Sequence, residues 1–257
     1  MAENFLPKID GVTRTLARLL DHLRATGHEA LVVGPDNGVS SYAGYSVFGT
    51  PGVPLPFYPE LKWNFLSPST LSTIVSFKPD ILHFVDPILL GPQVILAARV
   101  FLSDVPRVSS YHTNIALYAK HFGYPVLSPV IWSLQRYLHG QCRATMCPSP
   151  STSRTLVDHG FVEDRIRLWQ RGVDTQVFSP KHRCQTLREM WGNKIVLLYV
   201  GRVSWEKNLK VLSQAYKNLN RDDIHLVITG DGPAKKELEV FFEDVSVTFT
   251  GYLEGIL

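Results

Sequence analysis

Residues 194–209 read KIVLLYVGRVSWEKNL, an apolar run that ends in a glycine and a short polar segment. The run from Lys194 to Val200 predicts a buried strand, and Gly201 marks the turn after it. The residues that follow predict a helix from Lys207 to Leu219. A strand, a glycine turn and a helix in this order form the repeating unit of a parallel sheet that is covered by helices.

The same alternation extends in both directions along the chain. Leu16, Leu20 and Leu23 lie on the apolar face of a helix predicted between Gly11 and Gly27. Residues 35–66, rich in glycine, proline and tyrosine without a period, predict a long ordered loop. Further strands are predicted at 29–34, 80–85, 107–111, 144–147, 224–229 and 245–250, and further helices at 68–77, 93–102, 130–139, 151–159 and 234–242. The sequence therefore predicts an α/β protein with parallel sheets.

The strand and helix rhythm is interrupted once. The segment RGVDTQVFSP at 171–180 has no period and predicts an irregular connection, so we expect a first domain at 1–177, a connection at 178–193 and a second domain at 194–257. Each domain resembles a Rossmann-like sheet that is incomplete. We expect a first, central strand to be missing before the first glycine turn, leaving a gap or a rearranged pairing there. We also expect the carboxyl half of the second domain to be missing.

Composition excludes several classes of protein. The 257 residues are 45% hydrophobic and 19% charged, which argues against disorder, and a net charge of +3 does not by itself indicate nucleic-acid binding. Three cysteines without a C-x-x-C pair favour a reducing, cytoplasmic location over a disulfide framework. The sequence has no Asp-x-Asp, no G-x-S-x-G and no two histidines two or four apart, so metal-hydrolase and serine-esterase chemistry lack their minimum motifs.

Two candidate site residues lie in the first domain. Gly11 lies in the turn at residues 8–12, which leads directly into a helix. It is either an ordinary turn residue or part of an anion site at the helix amino terminus. His112, in the segment SSYHTN, follows a predicted buried strand, at the sheet edge where α/β proteins bind ligands. His83 lies within a strand and is better interpreted as a hydrogen-bonded core residue.

Four candidates lie in the second domain. Arg202 follows a predicted strand, and Lys207 begins a predicted helix. From these positions the two cations can hold a diphosphate; the alternative is that both are solvated charges of a loop. Gly230 and Gly232 form the turn ITGDGP after the next strand. They either allow a tight turn or let the backbone approach a nucleotide, but the third glycine of a dinucleotide fingerprint is absent.

Taken together, the strings ENFLPKIDGVTRT, YHTN, RGVDTQVFSP, YVGRVSWEKNL and ITGDGP resemble the retaining glycosyltransferases of family four. Within that family the chain is most similar to the branch of sulfoquinovosyltransferases and GDP-mannose-dependent mannosyltransferases. The resemblance covers essentially the whole chain. It implies the GT-B fold, in which two Rossmann-like domains face a cleft, and transfer of a hexose from a UDP- or GDP-sugar to a hydroxyl of a lipid or glycan.

The resemblance also implies roles for residues. Gly11 would contact the donor diphosphate, His112 would lie beside the donor sugar, Arg202 and Lys207 would clamp the phosphates, and the Gly230–Gly232 turn would approach the nucleotide. The family's pair of glutamates with seven residues between them is not found, and Glu254 is not a substitute, so we expect weak transfer or none. We expect no metal and no cofactor, no nucleic acid, and at most a peripheral contact with a membrane. The alternative is a non-catalytic module that binds a nucleotide or a lipid headgroup.

Overall fold

The computed structural model describes residues 1–7, 10–55, 58–121, 123–243 and 245–253. Lys8 and Ile9 of the first glycine turn, and Glu254, lie outside the described residues. The chain forms two compact units, Met1–Gly172 and Val173–Leu257. This division precedes the segment 178–193 that the sequence assigns to a connection, and that segment contains a short helix at Gln185–Met190.

The elements of the first unit alternate largely as the sequence predicts. In chain order they are α1 Gly11–Ala25, β1 Leu31–Pro35, β2 Ser41–Tyr42, β3 Tyr45–Thr50, β4 Gly52–Leu55, β5 Tyr58–Asn64, α2 Pro68–Phe77, β6 Leu82–Val85, α3 Leu90–Phe101, β7 Arg107–Ser110, α4 Ile115–His121, α5 Ser128–Gly140, β8 Ala144–Cys147, α6 Pro150–Asp158 and β9 Ile166–Leu168. In the second unit they are α7 Gln185–Met190, β10 Ile195–Val200, α8 Leu209–Leu219, β11 Ile224–Thr229, α9 Lys235–Phe241 and β12 Val247–Gly251.

The prediction of a loop over residues 35–66 is wrong. This stretch contains β2 to β5: β3 pairs in parallel with β1, and β4 pairs with β5 as an antiparallel ribbon. The strands are short, and Gly49, Gly52 and Pro54 interrupt the alternation of apolar and polar residues within them. A period of two is the main strand signal, so its interruption hid these strands from the sequence.

Two sheets of the first unit meet at the chain's first residues. One sheet has the order β1-β3-β2 and the other is the parallel sheet β6-β7-β8-β9. Ala2 donates its backbone N–H to the carbonyl of Val33 at 2.9 Å, and Val85 donates to the carbonyl of Met1 at 3.0 Å. Where the sequence predicts a gap or a rearranged pairing, the structure therefore places Met1 and Ala2 between β1 and β6.

Helices cover these sheets, and α1 does so with the apolar face that its periodicity predicts. Leu16 and Leu20 of α1 pack with Val32 and Val47 of the first sheet. On the other side, α3 packs its small and branched side chains against Phe84 of β6, which is fully buried. Burial of such side chains stabilises a fold by about 1.5–3 kcal/mol each, which fixes the strand ends that carry the candidate site.

The second unit is a parallel sheet of order β10-β11-β12, with strands where the sequence predicts them. The central strand β11 is buried almost throughout, while α8 and α9 contribute Leu209, Leu238 and adjoining apolar residues to its core. Among the described residues of the whole chain, no helix is both long and apolar enough to cross a bilayer. Cys142 and Cys147 are buried and Cys184 is exposed, each as a free thiol.

Candidate functional site

A buried carboxylate organises the loop that carries His112. Asp86 follows β6 directly, has a positive φ of 46°, and is 7% exposed. Its carboxylate accepts the backbone N–H groups of His112 at 2.6 Å and Thr113 at 3.2 Å, and the hydroxyl of Thr113 at 2.7 Å. The loop after β7 is therefore held to the loop after β6 by one side chain.

The electrostatics of Asp86 reflect this enclosure. Burial raises the pKa of its carboxyl to about 6, against the opposing effect of the hydrogen bonds from His112 and Thr113. A carboxyl group is rarely left buried unless it is hydrogen-bonded, and here three donors satisfy it. The buried, ionised carboxylate of Asp86 therefore lowers the free energy of unfolding near neutral pH, while its hydrogen bonds fix the geometry of the loop.

The imidazole of His112 is paired with a guanidinium. Arg171 donates from Nη2 to Nδ1 of His112 at 3.2 Å, and because arginine has no acceptor, Nδ1 must be the unprotonated nitrogen. The ring also lies edge-on to Trp169, with centroids 5.5 Å apart. Nε2 of His112 is shielded from solvent and has no hydrogen-bond partner in the described structure.

Burial and the charge of Arg171 lower the pKa of His112 to about 4, so the ring is neutral at physiological pH. His83, one strand away, also has a pKa lowered, to about 3, mainly by burial. Its Nε2 is hydrogen-bonded to the hydroxyl of Ser110 at 2.9 Å, which agrees with the interpretation of His83 as a satisfied core residue. The two histidines therefore differ in kind, since only His112 adjoins an exposed cation.

The amino terminus of α1 is already occupied in part. Asp10 is its N-cap, and its carboxylate accepts the N–H groups of Val12 at 2.9 Å and Thr13 at 2.8 Å. Two of the donors that an anion site would use are consumed in this way. Gly11 is exposed, and a Cβ added there would lie 2.7 Å from Nη1 of Arg171, so the glycine makes room for the guanidinium.

A second carboxylate caps a helix in the same unit. Glu3 accepts the backbone N–H groups of Ile88, Leu89, Leu90 and Gly91 at 2.9–3.0 Å, at the start of α3. The negative charge also complements the helix dipole. Glu3 thereby ties the first residues of the chain to the segment that directly follows Asp86.

In the second unit, Arg202 follows β10 as the sequence predicts, whereas Lys207 precedes α8 and does not begin it. Arg202 follows β10 and is exposed, and its carbonyl accepts the hydroxyl of Tyr199 at 2.9 Å. Lys207 is exposed and ends a 3₁₀ turn at Trp205–Lys207. Asn208, the N-cap residue of α8, has a left-handed backbone, and its side chain caps none of the backbone N–H groups at the start of the helix.

The glycines of the ITGDGP turn allow two loops of the second unit to pack closely. A Cβ on Gly230 would overlap the carbonyl of Gly201, and one on Gly232 would overlap the carbonyl of Val203. Gly230 also has a φ of +135°, which side chains rarely adopt. Val203 donates to the carbonyl of Asp231 at 2.9 Å, so the loops after β10 and β11 are packed backbone against backbone.

The structure thus brings Gly11 and His112 together through Arg171 in one unit, and the loops of Arg202 and of Gly230 together in the other. Sequence reasoning missed Asp86, Arg171 and Glu3. Asp86 stood directly after a predicted strand, the position that singled out His112, and Arg171 stood inside a quoted motif. Among the described residues, no group of three His, Cys, Asp or Glu side chains is arranged to hold a metal ion.

Two family models match the chain. The model named Glycosyltransferase Family 4 matches residues 9–177, and the model named Glycosyl transferases group 1 matches residues 188–254. A GDP-mannose-dependent alpha-mannosyltransferase of Corynebacterium glutamicum is 35% identical over 99% of this chain and 62% of its own length. The sulfoquinovosyl transferase SQD2 of Arabidopsis thaliana is 32% identical over 96% of this chain and 49% of its own length.

Solved structures share the fold at low sequence identity. Anabaena HepE in complex with UDP has a TM-score of 0.68 at 16% identity, covering 98% of this chain and 68% of that protein. A sucrose-phosphate synthase of Thermosynechococcus elongatus also has a TM-score of 0.68 at 16% identity, with coverages of 95% and 66%. The chain spans about half to two thirds of the length of the curated relatives named above.

Proposed function

The chain belongs to glycosyltransferase family 4 and has the α/β units of the GT-B fold, and from this premise we propose that it transfers a hexose from a UDP- or GDP-sugar to a hydroxyl group of a lipid or glycan, with retention of configuration. Curated relatives that are mannosyl- and sulfoquinovosyltransferases support the general reaction. The observation that carries the proposal is the pair Arg202 and Lys207 beside β10 and α8, in the second unit.

We propose that this pair binds the donor diphosphate. Two exposed cations five residues apart can each make a charge-assisted hydrogen bond to a phosphoryl oxygen, and the positive end of the α8 dipole adds to them. The tight turn at Gly230 and Gly232 has no side chain at these two positions, beside the carboxyl ends of β10 and β11. The nucleotide can therefore approach the backbone there. Neutralising the departing diphosphate is the main electrostatic task of such a transfer. Arginine, lysine and a helix end supply that charge, so the proposal requires no metal ion and no cofactor.

In the first unit we propose that His112 lies beside the transferred sugar as a neutral imidazole. The lowered pKa keeps it uncharged across the physiological range, and Asp86 fixes its backbone. The departing diphosphate, rather than this histidine, would accept the proton of the acceptor hydroxyl. An imidazole that meets the sugar affects the rate of transfer more than the affinity for the nucleotide.

An exposed apolar face favours a lipid acceptor. Along α5, Val130, Leu134 and Tyr137 follow one another at helical spacing and are 49–65% exposed, and Val126, just before α5, is 78% exposed. Residues 115–140 contain Lys120 and Arg136 but no acidic residue. Apolar side chains flanked by cations suit an anionic membrane surface, where a lipid hydroxyl is presented. We therefore propose a peripheral contact with a membrane through this face.

Titration of the chain with GDP and with UDP tests the donor site, and incubation with radiolabelled GDP- and UDP-sugars and a lipid extract tests transfer. We expect saturable binding of one nucleotide that is unaffected by a chelator. The alternative, a module that binds a nucleotide or headgroup without catalysis, predicts binding with no labelled product. In an enzyme, His112→Ala should lower turnover more than affinity.

A further inference from the structure

We infer that Arg171 is an anion-binding residue of the first unit, held by His112 and accommodated by Gly11, and that its ligand is a phosphoryl group. The inference rests on the proposed function in one respect, since a nucleotide sugar is the expected source of that group. Neither the roles that the resemblance implies nor the candidate diphosphate clamp includes Arg171, although the residue begins the segment RGVDTQVFSP that helps to carry the resemblance.

Arg171 carries a positive charge that an anion can bind. The side chain is exposed, and no carboxylate of the described residues lies within ion-pair distance of its guanidinium. Of its five N–H donors, one is directed to Nδ1 of His112. Among the described residues the remaining donors have no hydrogen-bond acceptor, so they are available to a planar or tetrahedral oxyanion, which a guanidinium binds through two parallel hydrogen bonds.

The guanidinium of Arg171 is also held in one orientation. A long exposed arginine ordinarily loses side-chain entropy when it binds a ligand. Here the acceptor that holds it belongs to a ring packed edge-on against Trp169, and Asp86 fixes that ring's backbone. His112 is therefore a positioning residue for the guanidinium, whose ligand-binding edge is set before the ligand arrives.

Gly11 leaves space for the guanidinium of Arg171. A Cβ at Gly11 would lie 2.7 Å from Nη1 of Arg171, closer than carbon and nitrogen can approach without movement. The helix end itself supplies little, because Asp10 already accepts the N–H groups of Val12 and Thr13. The absence of a side chain at Gly11 thus serves the guanidinium rather than an anion bound directly to α1.

Calorimetric titration of the full chain with inorganic pyrophosphate, GDP, UDP and glycerol 3-phosphate tests the inference. We expect Arg171→Met to weaken binding of the preferred phosphoryl ligand at least about tenfold, as loss of a charge-assisted contact does, and Arg171→Lys to restore part of it. Gly11→Ala should also weaken binding, because the added methyl group displaces the guanidinium of Arg171. Its free energy of unfolding should stay the same, since only the far end of a flexible side chain moves. Arg154→Met, an equal loss of charge on α6, is the matched control.

Nitrogen NMR of the His112 ring supplies a readout that needs no ligand. In the unmodified chain Nδ1 should show the shift of an acceptor, and Arg171→Met should abolish it. The same change should raise the pKa of His112, because the charge of Arg171 lowers that pKa. Asp10 acts in the opposite direction and raises it, and the neutral His83 is the other titratable neighbour of His112. Pyrophosphate should perturb this ring in the unmodified chain and leave it unperturbed in Arg171→Met.

The outcomes separate the two proposals. If Arg171→Met binds GDP or UDP as well as the unmodified chain while Arg202→Met does not, the assignment of Arg171 is wrong and the proposed function stands. Binding of glycerol 3-phosphate alone, dependent on Arg171, supports the assignment with a lipid headgroup as the source and overturns the donor site. Absence of binding by every phosphoryl ligand overturns both.

Discussion

The carboxylate of Asp86 accepts the backbone N–H of His112 at 2.6 Å, so a buried acid at the end of β6 determines where the loop after β7 lies. The two residues are 26 positions apart in the chain and adjacent only because β6 and β7 are parallel neighbours. This contact places His112 and, through it, Arg171. Any change in the charge or shape of Asp86 therefore reaches the candidate site.

Asp86→Asn should stabilise the chain above pH 6. The raised pKa of about 6 means that the folded state binds more protons than the unfolded chain between about pH 4 and 6, so the ionised carboxylate lowers the free energy of unfolding as pH rises through that window. The full effect is about 3 kcal/mol. An asparagine keeps an oxygen for both N–H donors and offers its amide to the hydroxyl of Thr113.

Urea unfolding of both proteins at pH 4 to 7.5 measures this effect. The difference in free energy should grow with pH and level off above about pH 6.5. The surface variant Asp104→Asn should give no such pH-dependent difference. A difference for Asp86→Asn that is constant across the range would show that the carboxyl of Asp86 has an ordinary pKa.

Glu3→Ala should destabilise the first unit by about 2 kcal/mol. It removes the acceptor for four backbone N–H groups at the start of α3, and losses of helix caps and of charge-assisted hydrogen bonds have this size. Glu3→Gln retains one acceptor oxygen and should lose less. Thermal unfolding compares both with Glu29→Ala, an exposed glutamate; equal melting temperatures for all three would contradict the capping role.

Gly230→Ala should destabilise the second unit by at least about 2 kcal/mol, because the new methyl group overlaps the carbonyl of Gly201 and the backbone has a positive φ. Gly140→Ala is the control, since open space surrounds the Cβ it would add and its φ is not positive. Hydrogen exchange of the β10 and β11 amides measures the effect in that unit directly. Unchanged protection would mean that these two loops separate without cost.

Arg202→Ala and Lys207→Ala should each weaken nucleotide binding by about 1.5–3 kcal/mol, the usual size of a charge-assisted hydrogen bond. Both side chains are exposed, so the free energy of unfolding should change little. Lys236→Ala removes an exposed charge from α9 and should bind nucleotide normally. Isothermal titration with GDP and UDP decides the matter, and unaltered affinity in both variants would refute the phosphate clamp.

Local patterns in the sequence determined most of the elements and the six candidate positions. Apolar periodicity predicted α1, the parallel strands and the positions of the second unit's strands along the chain, because these signals lie within single elements. The glycine turns and the cations after β10 were visible for the same reason. The strands at 41–64 were not, since glycine and proline break their alternation.

Only the tertiary structure decided how distant residues meet. The contacts of Asp86 with His112, of Glu3 with the start of α3, and of Arg171 with both His112 and Gly11 join residues that lie 26 to 160 positions apart. No periodicity encodes such pairs, because they depend on which strands become neighbours and on which side chains are buried there. The same burial sets the pKa of Asp86 and of His112, since desolvation is a property of the packed sheet edge and not of either residue's neighbours in sequence.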